Sequence, residues 1–334
     1  MNGKIRTTLL SAAGAMLSAV VIRRSIFGAF DRHMVGTALD REEPKAMQKL
    51  KERLKGEAVE DEEVMVLCRQ MQQRLEQSPH ETVRITGYDG TPLVGHLFRA
   101  EGEKRVILAM HGWRSCWARD FGPVADFFRE NDCTVLYAQQ RGQGESGGDY
   151  MGFGMIERFD CLEWIKWLND NGFGGRKIYL AGISMGATTV LMAAGEPLPE
   201  SVKGIQADCG FTSPKAIWKH VTEQNLHMSV GPLRQVCTDL AFRRKLRQGL
   251  SAYSTRTAME QNTIPVLFVH GTEDRFVPIQ MTYDNYLSCA APRYLVVVPG
   301  ATHAMSYAVE PETCQKAMLS FWQMYDGNTT EAPS

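Results

Sequence analysis

The chain has 334 residues, of which 44% are hydrophobic and 22% are charged, with 30 glycines and 14 prolines. This composition is typical of a globular chain with one large domain and additional segments, and it excludes collagen-like, disordered and polytopic membrane proteins. The 37 basic and 38 acidic side chains nearly cancel, which gives no reason to expect a nucleic-acid partner. The 8 cysteines form no CxxC pair, which favours free thiols in a reducing compartment over a disulfide scaffold or a zinc ribbon.

The first predicted element is an apolar segment at residues 7–22, which carries no charge and has basic residues on both sides. It is slightly shorter than the roughly 17 to 20 residues of a membrane-spanning helix, but flanking arginines can extend the reach. Arg23 and Arg24 stand where a signal-peptide cleavage site would lie, so we expect residues 1–30 to be retained. They are either an uncleaved membrane anchor, with its orientation open, or a packed N-terminal helix of a cytoplasmic protein.

Residues 31–81 are predicted to be a helical extension in front of the main domain. Between Asp40 and Gln77 the chain is rich in Glu, Lys, Met and Leu at helical spacing, which predicts two amphipathic helices. We expect them to pack on the main domain or to link it to the N-terminal segment. At the other end of the chain, residues 326–334 are predicted to be a frayed tail.

The main domain is predicted at residues 82–325 and begins with a β-hairpin, because two β-like runs flank Asp89 and Gly90, a pair that tolerates positive φ. Six apolar runs follow, most of them separated by segments of helix length, at 106–110, 134–138, 178–181, 202–207, 266–269 and 295–298. Strands without polar alternation are usually covered on both faces, and strands that alternate with helices form a mostly parallel sheet. The sequence therefore predicts a doubly wound α/β fold.

The sequence GISMG at residues 182–186 directly follows the third apolar run and precedes a helix-forming stretch. A serine on a tight strand-to-helix turn projects its hydroxyl from the carboxyl edge of the sheet, and flanking glycines leave room for the strained backbone. Ser184 is therefore the candidate nucleophile. A serine hydroxyl is a weak nucleophile, so it needs a base, and that base needs an acid to orient it.

The loops after the last two apolar runs supply the candidate acid and base. Asp274 follows the fifth run and His303 follows the sixth, so both are expected at the sheet edge that carries Ser184. We assign Asp274 as the orienting acid and His303 as the general base. Two other carboxylates compete for the role of the acid, namely Glu273 beside Asp274 and Asp208 at the end of the fourth run.

Two backbone N–H groups are predicted to stabilise the oxyanion of a tetrahedral intermediate. One belongs to Met185, directly after the nucleophile, and the other to Trp113, in the loop after the first run. A GxGxxG match at residues 142–147 also follows a strand, but residues 148–154 continue as a loop and do not open a helix. It therefore does not predict a dinucleotide site.

More than 50 residues separate the fourth and fifth runs, and this length predicts a helical cap over the site, at about residues 212–262. Substrate choice is expected to depend on its apolar walls, and the candidate pocket residues are Trp218, Leu226, Met228 and Tyr253. Between positions 214 and 250, seven Lys or Arg residues oppose two acids. These cations either form a solvated basic face or meet an anionic acyl carrier or lipid headgroup.

The motifs GISMG, HGW, QQRGQGES, HGTEDRFVP and PGATHA together resemble those of the α/β-hydrolase family over residues 82–325. The arrangement is similar to the bacterial serine esterase and serine aminopeptidase-like group. The resemblance implies a mostly parallel eight-stranded sheet, a Ser-His-Asp triad and an acyl-enzyme mechanism without a metal or an organic cofactor. Gln139 departs from the pattern, because relatives often have Asp at this place, and we expect a changed local hydrogen bond there without loss of catalysis.

The predicted activity is therefore hydrolysis of a small-molecule carboxylic ester by a serine hydrolase. The alternative is a thioesterase or an aminopeptidase-like hydrolase on the same triad, although Glu223 and Asp239 alone are a poor site for the ammonium group of a peptide. From a different class, a non-catalytic ligand-binding protein is the remaining hypothesis, and an intact triad argues against it. The sequence leaves the acyl length and the oligomeric state open.

Overall fold

The computed structural model describes residues 28–29, 31–42 and 62–327. The apolar segment predicted at residues 7–22, the first part of the predicted amphipathic helices and residues 328–334 of the tail lie outside these ranges. Within the described ranges, no helix has both the length and the apolar character needed to cross a membrane. The boundaries predicted for the domains stay predictions.

Eight strands form one sheet in the order β1-β2-β4-β3-β5-β6-β7-β8. β1 pairs antiparallel with β2, β2 pairs antiparallel with β4, and the remaining neighbours are parallel. The strands are β1 (Glu81–Thr86), β2 (Pro92–Phe98), β3 (Arg105–Met110), β4 (Cys133–Ala138), β5 (Ile178–Ile183), β6 (Val202–Asp208), β7 (Val266–Gly271) and β8 (Arg293–Val298). The prediction of a mostly parallel eight-stranded sheet is confirmed.

Helices cover both faces of this sheet. In chain order they are α1 (31–39), α2 (Glu62–Gln77), α3 (Trp117–Glu130), α4 (Glu157–Leu168), α5 (Met185–Ala193), α6 (Pro214–His220), α7 (Pro232–Leu246), α8 (Thr255–Gln261), α9 (Gln280–Ser288), α10 (Ser306–Val309) and α11 (Pro311–Tyr325). Short π-helical turns follow α4 at Asn169–Phe173 and α6 at Val221–Asn225. The connection between β6 and β7, which contains α6, α7 and α8, is called the cap region below.

The central strand β3 shows why both faces are apolar. Val106, Leu108 and Met110 belong to a core cluster with residues of α4, α5 and α8, whereas Ile107 and Ala109 belong to a second cluster with residues of α3 and α11. All five side chains are fully buried. Successive side chains of a strand point to opposite faces, so a strand covered on both sides carries an unbroken apolar run.

In the turn after β4, Gln139 stands where relatives often have Asp. Its side-chain oxygen accepts the backbone N–H of Glu145 at 2.5 Å, and its side-chain nitrogen donates to His96 at 2.8 Å. The neighbouring Arg141 binds the carboxylate of Asp160 through two of its nitrogens, at 2.5 and 2.6 Å. The side chain of Gln139 therefore makes hydrogen bonds across the turn. In the sequence, this turn is distant from the candidate catalytic residues.

Candidate active site

Ser184 lies on the sharp turn between β5 and α5, with φ 55° and ψ −116°. Positive φ is strained for a residue with a Cβ, and such strain persists only where the surroundings enforce it. Close backbone packing that only the flanking glycines permit surrounds it here, because a Cβ at Gly182 would lie 2.3 Å from the carbonyl oxygen of Gly186, and one at Gly186 would lie 1.8 Å from that of Met110. The N–H of Ser184 also donates to the carbonyl of Asp208 at 2.9 Å.

The structure brings Ser184, His303 and Asp274 together in one hydrogen-bonded relay. The hydroxyl of Ser184 donates to His303 Nε2 at 2.9 Å, and His303 Nδ1 donates to Asp274 Oδ2 at 2.6 Å. Asp274 is placed by the loop after β7 and His303 by the loop after β8. The three residues meet because the carboxyl ends of parallel strands share one edge of the sheet.

Both oxygens of the Asp274 carboxylate are held by polar contacts. Oδ1 accepts the backbone N–H groups of Phe276 and Val277 at 2.9 and 2.8 Å, and Oδ2 lies 3.1 Å from His270 Nε2. Burial raises the pKa of this carboxyl group, but the positive charge of His303 and the hydrogen bonds of His270 and His303 outweigh it and hold the pKa of Asp274 well below its usual range. Asp274 is therefore an anion that cannot turn away from His303.

His270 is a residue of this site that the sequence did not single out. It is the next-to-last residue of β7 and is fully buried. Its Nε2 faces two acceptors, Asp274 Oδ2 and the carbonyl of Val277 at 2.9 Å, so Nε2 carries the proton, and Nδ1 then accepts the hydroxyl of Thr282 at 2.6 Å. The available signal was a histidine at the end of an apolar run, four residues before the predicted acid.

Three influences act on the protonation of His303. Burial lowers the pKa of its imidazole, but the charge and the hydrogen bond of Asp274 raise it, and the charges of Asp208 and Asp120 add to that effect. The net result is a pKa above the ordinary value of 6.5. His303 therefore holds a proton more readily than a free histidine does, which suits a group that must receive one from a serine.

The two competing carboxylates lie in different places. Glu273 is exposed, so it does not face the relay. Asp208 is enclosed near the relay and accepts the hydroxyl of Ser306 at 3.0 Å, and burial raises its pKa to about 6. Of the three carboxylates, Asp274 is the one placed at hydrogen-bonding distance from His303.

Trp113 and Met185, the predicted oxyanion donors, lie on either side of the nucleophile turn. Met185 is the first residue of α5, and the N-terminus of a helix favours negative charge. A Cβ at Gly112 would lie 3.3 Å from the Cβ of Ser184, so the loop after β3 passes directly beside the nucleophile. The N–H of Gly112 donates to Asp120 at 2.6 Å, and Trp113 provides the next backbone N–H along this loop.

A sequence model of the prolyl oligopeptidase family matches residues 119–329, more than half of the 334 residues. The chain belongs to the prolyl oligopeptidase family. Together with the fold, this membership makes the protein a serine hydrolase of the α/β-hydrolase type, as its motifs predicted.

The individual proteins to which the chain is similar are distant in sequence. The uncharacterised protein YqkD of Bacillus subtilis is 27% identical over 198 residues, which are 59% of this chain and 64% of that protein. The esterase Pf2001 of Pyrococcus furiosus has a TM-score of 0.61 at 22% identity, covering 75% of this chain and 92% of that one. The acylaminoacyl peptidase of Pyrococcus horikoshii has a TM-score of 0.57 at 15% identity, covering 78% of this chain and 44% of that one. At such identities the structures share the fold.

An aromatic group lies beside the relay in this prolyl oligopeptidase family member. Phe276 contacts the ring of His303 at 5.0 Å between centroids, and Trp113 stacks on Phe276 at 6.2 Å and on Phe153 at 6.3 Å. They pack against an apolar cluster that contains Met151, Met185, Phe211, Ile217, Val277 and Met281. Phe153 and Phe276 were not predicted as site residues, because they lie in loops, where the sequence has no regular spacing of apolar residues.

The four predicted pocket residues fall into different surroundings. Trp218 of α6 packs edge-on against Phe242 of α7 at 5.5 Å, and Phe242 in turn stacks on Phe153. The ring of Tyr253 lies 4.2 Å from the guanidinium carbon of Arg158. The other two candidates, Leu226 and Met228, are half-buried beyond α6. Trp218 is thus linked to the relay through aromatic contacts, and all four assignments stay predictions.

The cations of the cap region are largely engaged with carboxylates. Four of the seven predicted ones form ion pairs in the structure, namely Lys219–Glu223, Arg234–Asp31, Arg243–Asp239 and Lys245–Asp40. Two of these pairs use acids of the N-terminal segment at residues 31–42 and not acids of the cap itself. The basic face is therefore partly neutralised, which weakens the expectation that it meets an anionic substrate.

One group of side chains in the described part of the chain has atoms close enough to hold a metal, namely Cys209, Asp274 and His303, whose candidate ligand atoms lie within 4.8 Å of one another. Asp274 and His303 already bind each other at 2.6 Å. Burial raises the pKa of the Cys209 thiol well above its usual value, which disfavours the thiolate that a metal requires. The donor set therefore suits a proton relay better than a metal centre.

Proposed function

We propose that the protein hydrolyses carboxylic esters of small acyl molecules through an acyl-enzyme intermediate. The observation that supports this proposal is the relay itself, in which Ser184 Oγ, His303 and Asp274 are joined by hydrogen bonds of 2.9 and 2.6 Å. A serine on a strained strand-to-helix turn beside such a relay is the arrangement that acyl transfer requires.

In the proposed first step, Ser184 Oγ attacks the ester carbonyl while its proton passes to His303 Nε2. The imidazolium then donates this proton to the departing alcohol oxygen, which leaves an acyl group on Ser184. A water molecule next gives a proton to His303 and attacks the acyl carbonyl. The imidazolium returns this proton to Ser184 Oγ as its bond to the acyl carbon breaks, and the carboxylic acid leaves. Asp274 stays ionised throughout and stabilises the imidazolium.

The negative charge of each tetrahedral intermediate is proposed to lie on an oxygen held by the N–H groups of Met185 and Trp113. Fixed donors of this kind stabilise charge without reorganising, and the removal of one typically lowers the rate by about 10² to 10³. Two observations support this placement. Met185 begins α5 directly after the nucleophile, and the loop that carries Trp113 passes beside the Cβ of Ser184.

The preference for an ester over a peptide rests on the surroundings of the relay. The group formed by Trp113, Phe153 and Phe276 is aromatic and apolar. The two acids between positions 214 and 250 are already engaged, because Asp239 binds Arg243 at 2.6 Å and Glu223 faces Lys219 at 3.9 Å. A neutral acyl group therefore fits these surroundings better than the ammonium group of a peptide N-terminus.

Cleavage of a blocked peptide or a thioester is the second candidate. The blocked peptide is favoured by membership in the prolyl oligopeptidase family and by the similarity in fold to an acylaminoacyl peptidase. An acylated peptide N-terminus carries no ammonium group, so the aromatic surroundings do not oppose it. The same relay would serve either substrate.

We further propose that residues 7–22, which lie outside the described residues, hold the enzyme at a membrane, with a cytoplasmic enzyme as the alternative. Fractionation of cells that express the full chain distinguishes the two. Retention in the membrane fraction after a high-salt wash is expected for an apolar contact. Recovery of all activity in the soluble fraction would contradict it.

The enzymatic proposal is tested first by labelling with a fluorophosphonate probe, which reacts with activated serines. We expect the wild-type chain to be labelled and Ser184→Ala to remain unlabelled. The control is Ser288→Ala, a half-buried serine at the end of α9, and it should label like the wild type. Absence of labelling in the wild type, or equal labelling of Ser184→Ala, would contradict the proposal.

The substrate class is then tested with a panel of p-nitrophenyl esters of increasing acyl length, beside acyl-CoA thioesters and acetylated or free aminoacyl amides. We expect kcat/KM to be highest for the esters and to be abolished for all substrates by Ser184→Ala. A higher kcat/KM for acetylated aminoacyl amides would replace the ester by a blocked peptide. Turnover that survives Ser184→Ala would contradict both.

A further inference from the structure

The N-terminal segment at residues 31–42, called the strap here, lies across three elements that surround the candidate site. Its helix α1 buries Val35 and Leu39 completely. These side chains belong to one core cluster with Phe242 and Leu246 of the cap helix α7 and with Met155. The strap therefore packs on the cap and on the main domain at the same time.

The end of α1 is bound by the loop that carries a proposed oxyanion donor. The last carbonyl groups of a helix have no partner within the helix. Here the indole N–H of Trp113 donates to the carbonyl of Ala38 at 2.8 Å, and the guanidinium of Arg114 donates to the carbonyls of Thr37 and Asp40 at 2.8 and 2.6 Å. A cation at this helix end is further favoured by the helix dipole.

Ion pairs tie the strap to both ends of the cap helix α7. Asp31 binds Arg234, in the first turn of α7, at 3.1 Å, and this pair is largely shielded from water. Asp40 binds Lys245, in the last turn of α7, at the opposite end of the strap. The helix is thus held at two points more than 10 residues apart, which fixes its direction as well as its position.

Backbone hydrogen bonds join the strap to the loop after β4. The N–H of Met151 donates to the carbonyl of Leu39 at 2.7 Å, and the N–H of Arg41 donates to the carbonyl of Asp149 at 2.9 Å. Met151 is fully buried in the apolar cluster beside the relay. The strap therefore contacts the oxyanion loop, the cap and one wall of the apolar cluster.

We propose that the strap is a positioning element of the active site, which holds the Trp113 amide at the oxyanion and α7 over the pocket during turnover. This inference rests on the proposed function, because it assigns a role within the same site. A displacement of about 1 Å at a catalytic group can lower the rate by about 10², so a group that fixes the oxyanion loop acts on kcat. If the strap contributed only packing, changes in it would lower the stability of the fold and leave kcat unchanged.

The decisive variant is Trp113→Phe, which removes the indole N–H but keeps an aromatic ring and the backbone N–H. We expect kcat on a p-nitrophenyl ester to fall about tenfold while KM changes less than about threefold, because the loop loses its hydrogen bond to the strap. The control is Trp167→Phe on α4, which makes the same exchange outside the strap, the cap region and the loop of Trp113, and it should leave kcat unchanged.

Affinity for a trifluoromethyl ketone is the second readout, since its adduct with Ser184 places a negative oxygen in the oxyanion site. We expect Trp113→Phe to weaken this affinity by the same factor as kcat/KM. A lowered melting temperature with unchanged kcat and unchanged ketone affinity would show that the strap only stabilises the fold. An inactive wild-type enzyme would instead overturn the proposed function.

The ion pair between Asp40 and Lys245 supplies an independent test that does not alter Trp113. We expect Asp40→Lys and Lys245→Asp each to lower kcat/KM two- to fivefold, since exposed pairs are weak, and the double variant to recover it to within about twofold. Lys219→Ala, which removes an ion pair inside the cap region, is the control and should be near wild type. Failure of the double variant to recover would contradict the role of this pair in the strap.

Discussion

The nucleophile turn and the cap region are built in opposite ways. At the turn, Ser184 is fixed by backbone contacts, since the glycines on both sides leave no room for a Cβ and the Ser184 N–H is bound to β6. The cap helix α7 is held by side-chain ion pairs, and Val236 and Leu240 on its outer face are more than half exposed. Backbone constraints tolerate little substitution, whereas side-chain pairs can be exchanged. Chemistry is therefore expected to be set at the turn and selectivity at the cap.

The largest expected effect separates the two acids near the relay. Asp274→Asn keeps the shape of the side chain but removes the charge that orients His303, and we expect kcat to fall by about 10³ to 10⁴. Asp208→Asn should change kcat less than tenfold, because the Asp208 carboxylate accepts a hydrogen bond from Ser306, whereas His303 is hydrogen-bonded to Asp274. Steady-state kinetics on one ester measures both. If the two effects were reversed, Asp208 would be the acid.

The second prediction concerns stability at the nucleophile turn. Gly186→Ala would place a Cβ 1.8 Å from the carbonyl oxygen of Met110, so β3 and α5 would have to separate. We expect this to lower the free energy of unfolding by about 3 kcal/mol or to prevent folding, as overpacking of a rigid core does. Gly175→Ala is the matched control, because nothing lies within 4 Å of its Cβ position. Denaturant titration compares the two, and equal stabilities would refute the packing argument.

The third prediction follows from the pKa of His303. The imidazole must be neutral to accept the proton of Ser184, so kcat/KM should rise with pH through the pKa of His303, which lies above 6.5. Asp208 carries its negative charge above its own pKa of about 6 and raises that of His303. Asp208→Asn should therefore shift the rising limb of the pH profile to lower pH. A shift to higher pH would contradict this electrostatic argument.

The parts of the site that the sequence predicted are those that depend on short spans of chain. Ser184, Asp274 and His303 each follow an apolar run, and parallel strands bring such positions to one edge. The contact of Trp113 with Ala38 joins residues 75 positions apart, and that of Asp31 with Arg234 joins residues 203 positions apart. Helical periodicity tells which face of α1 is apolar but not what covers it, so the strap could not be placed from the sequence.

The smallest expected effect belongs to the cap, where other aromatic rings link Trp218 to the site. Its ring packs on Phe242, which stacks on Phe153 beside Trp113. Trp218→Leu keeps an apolar side chain but shortens this stack, so we expect the ratio of kcat/KM between long-chain and short-chain esters to change about threefold while kcat on the short ester stays constant. Trp167→Leu on α4 is the control. A loss of kcat on every ester would mean that α6 supports the relay itself. It would contradict the distinction between a rigid nucleophile turn and an adjustable cap.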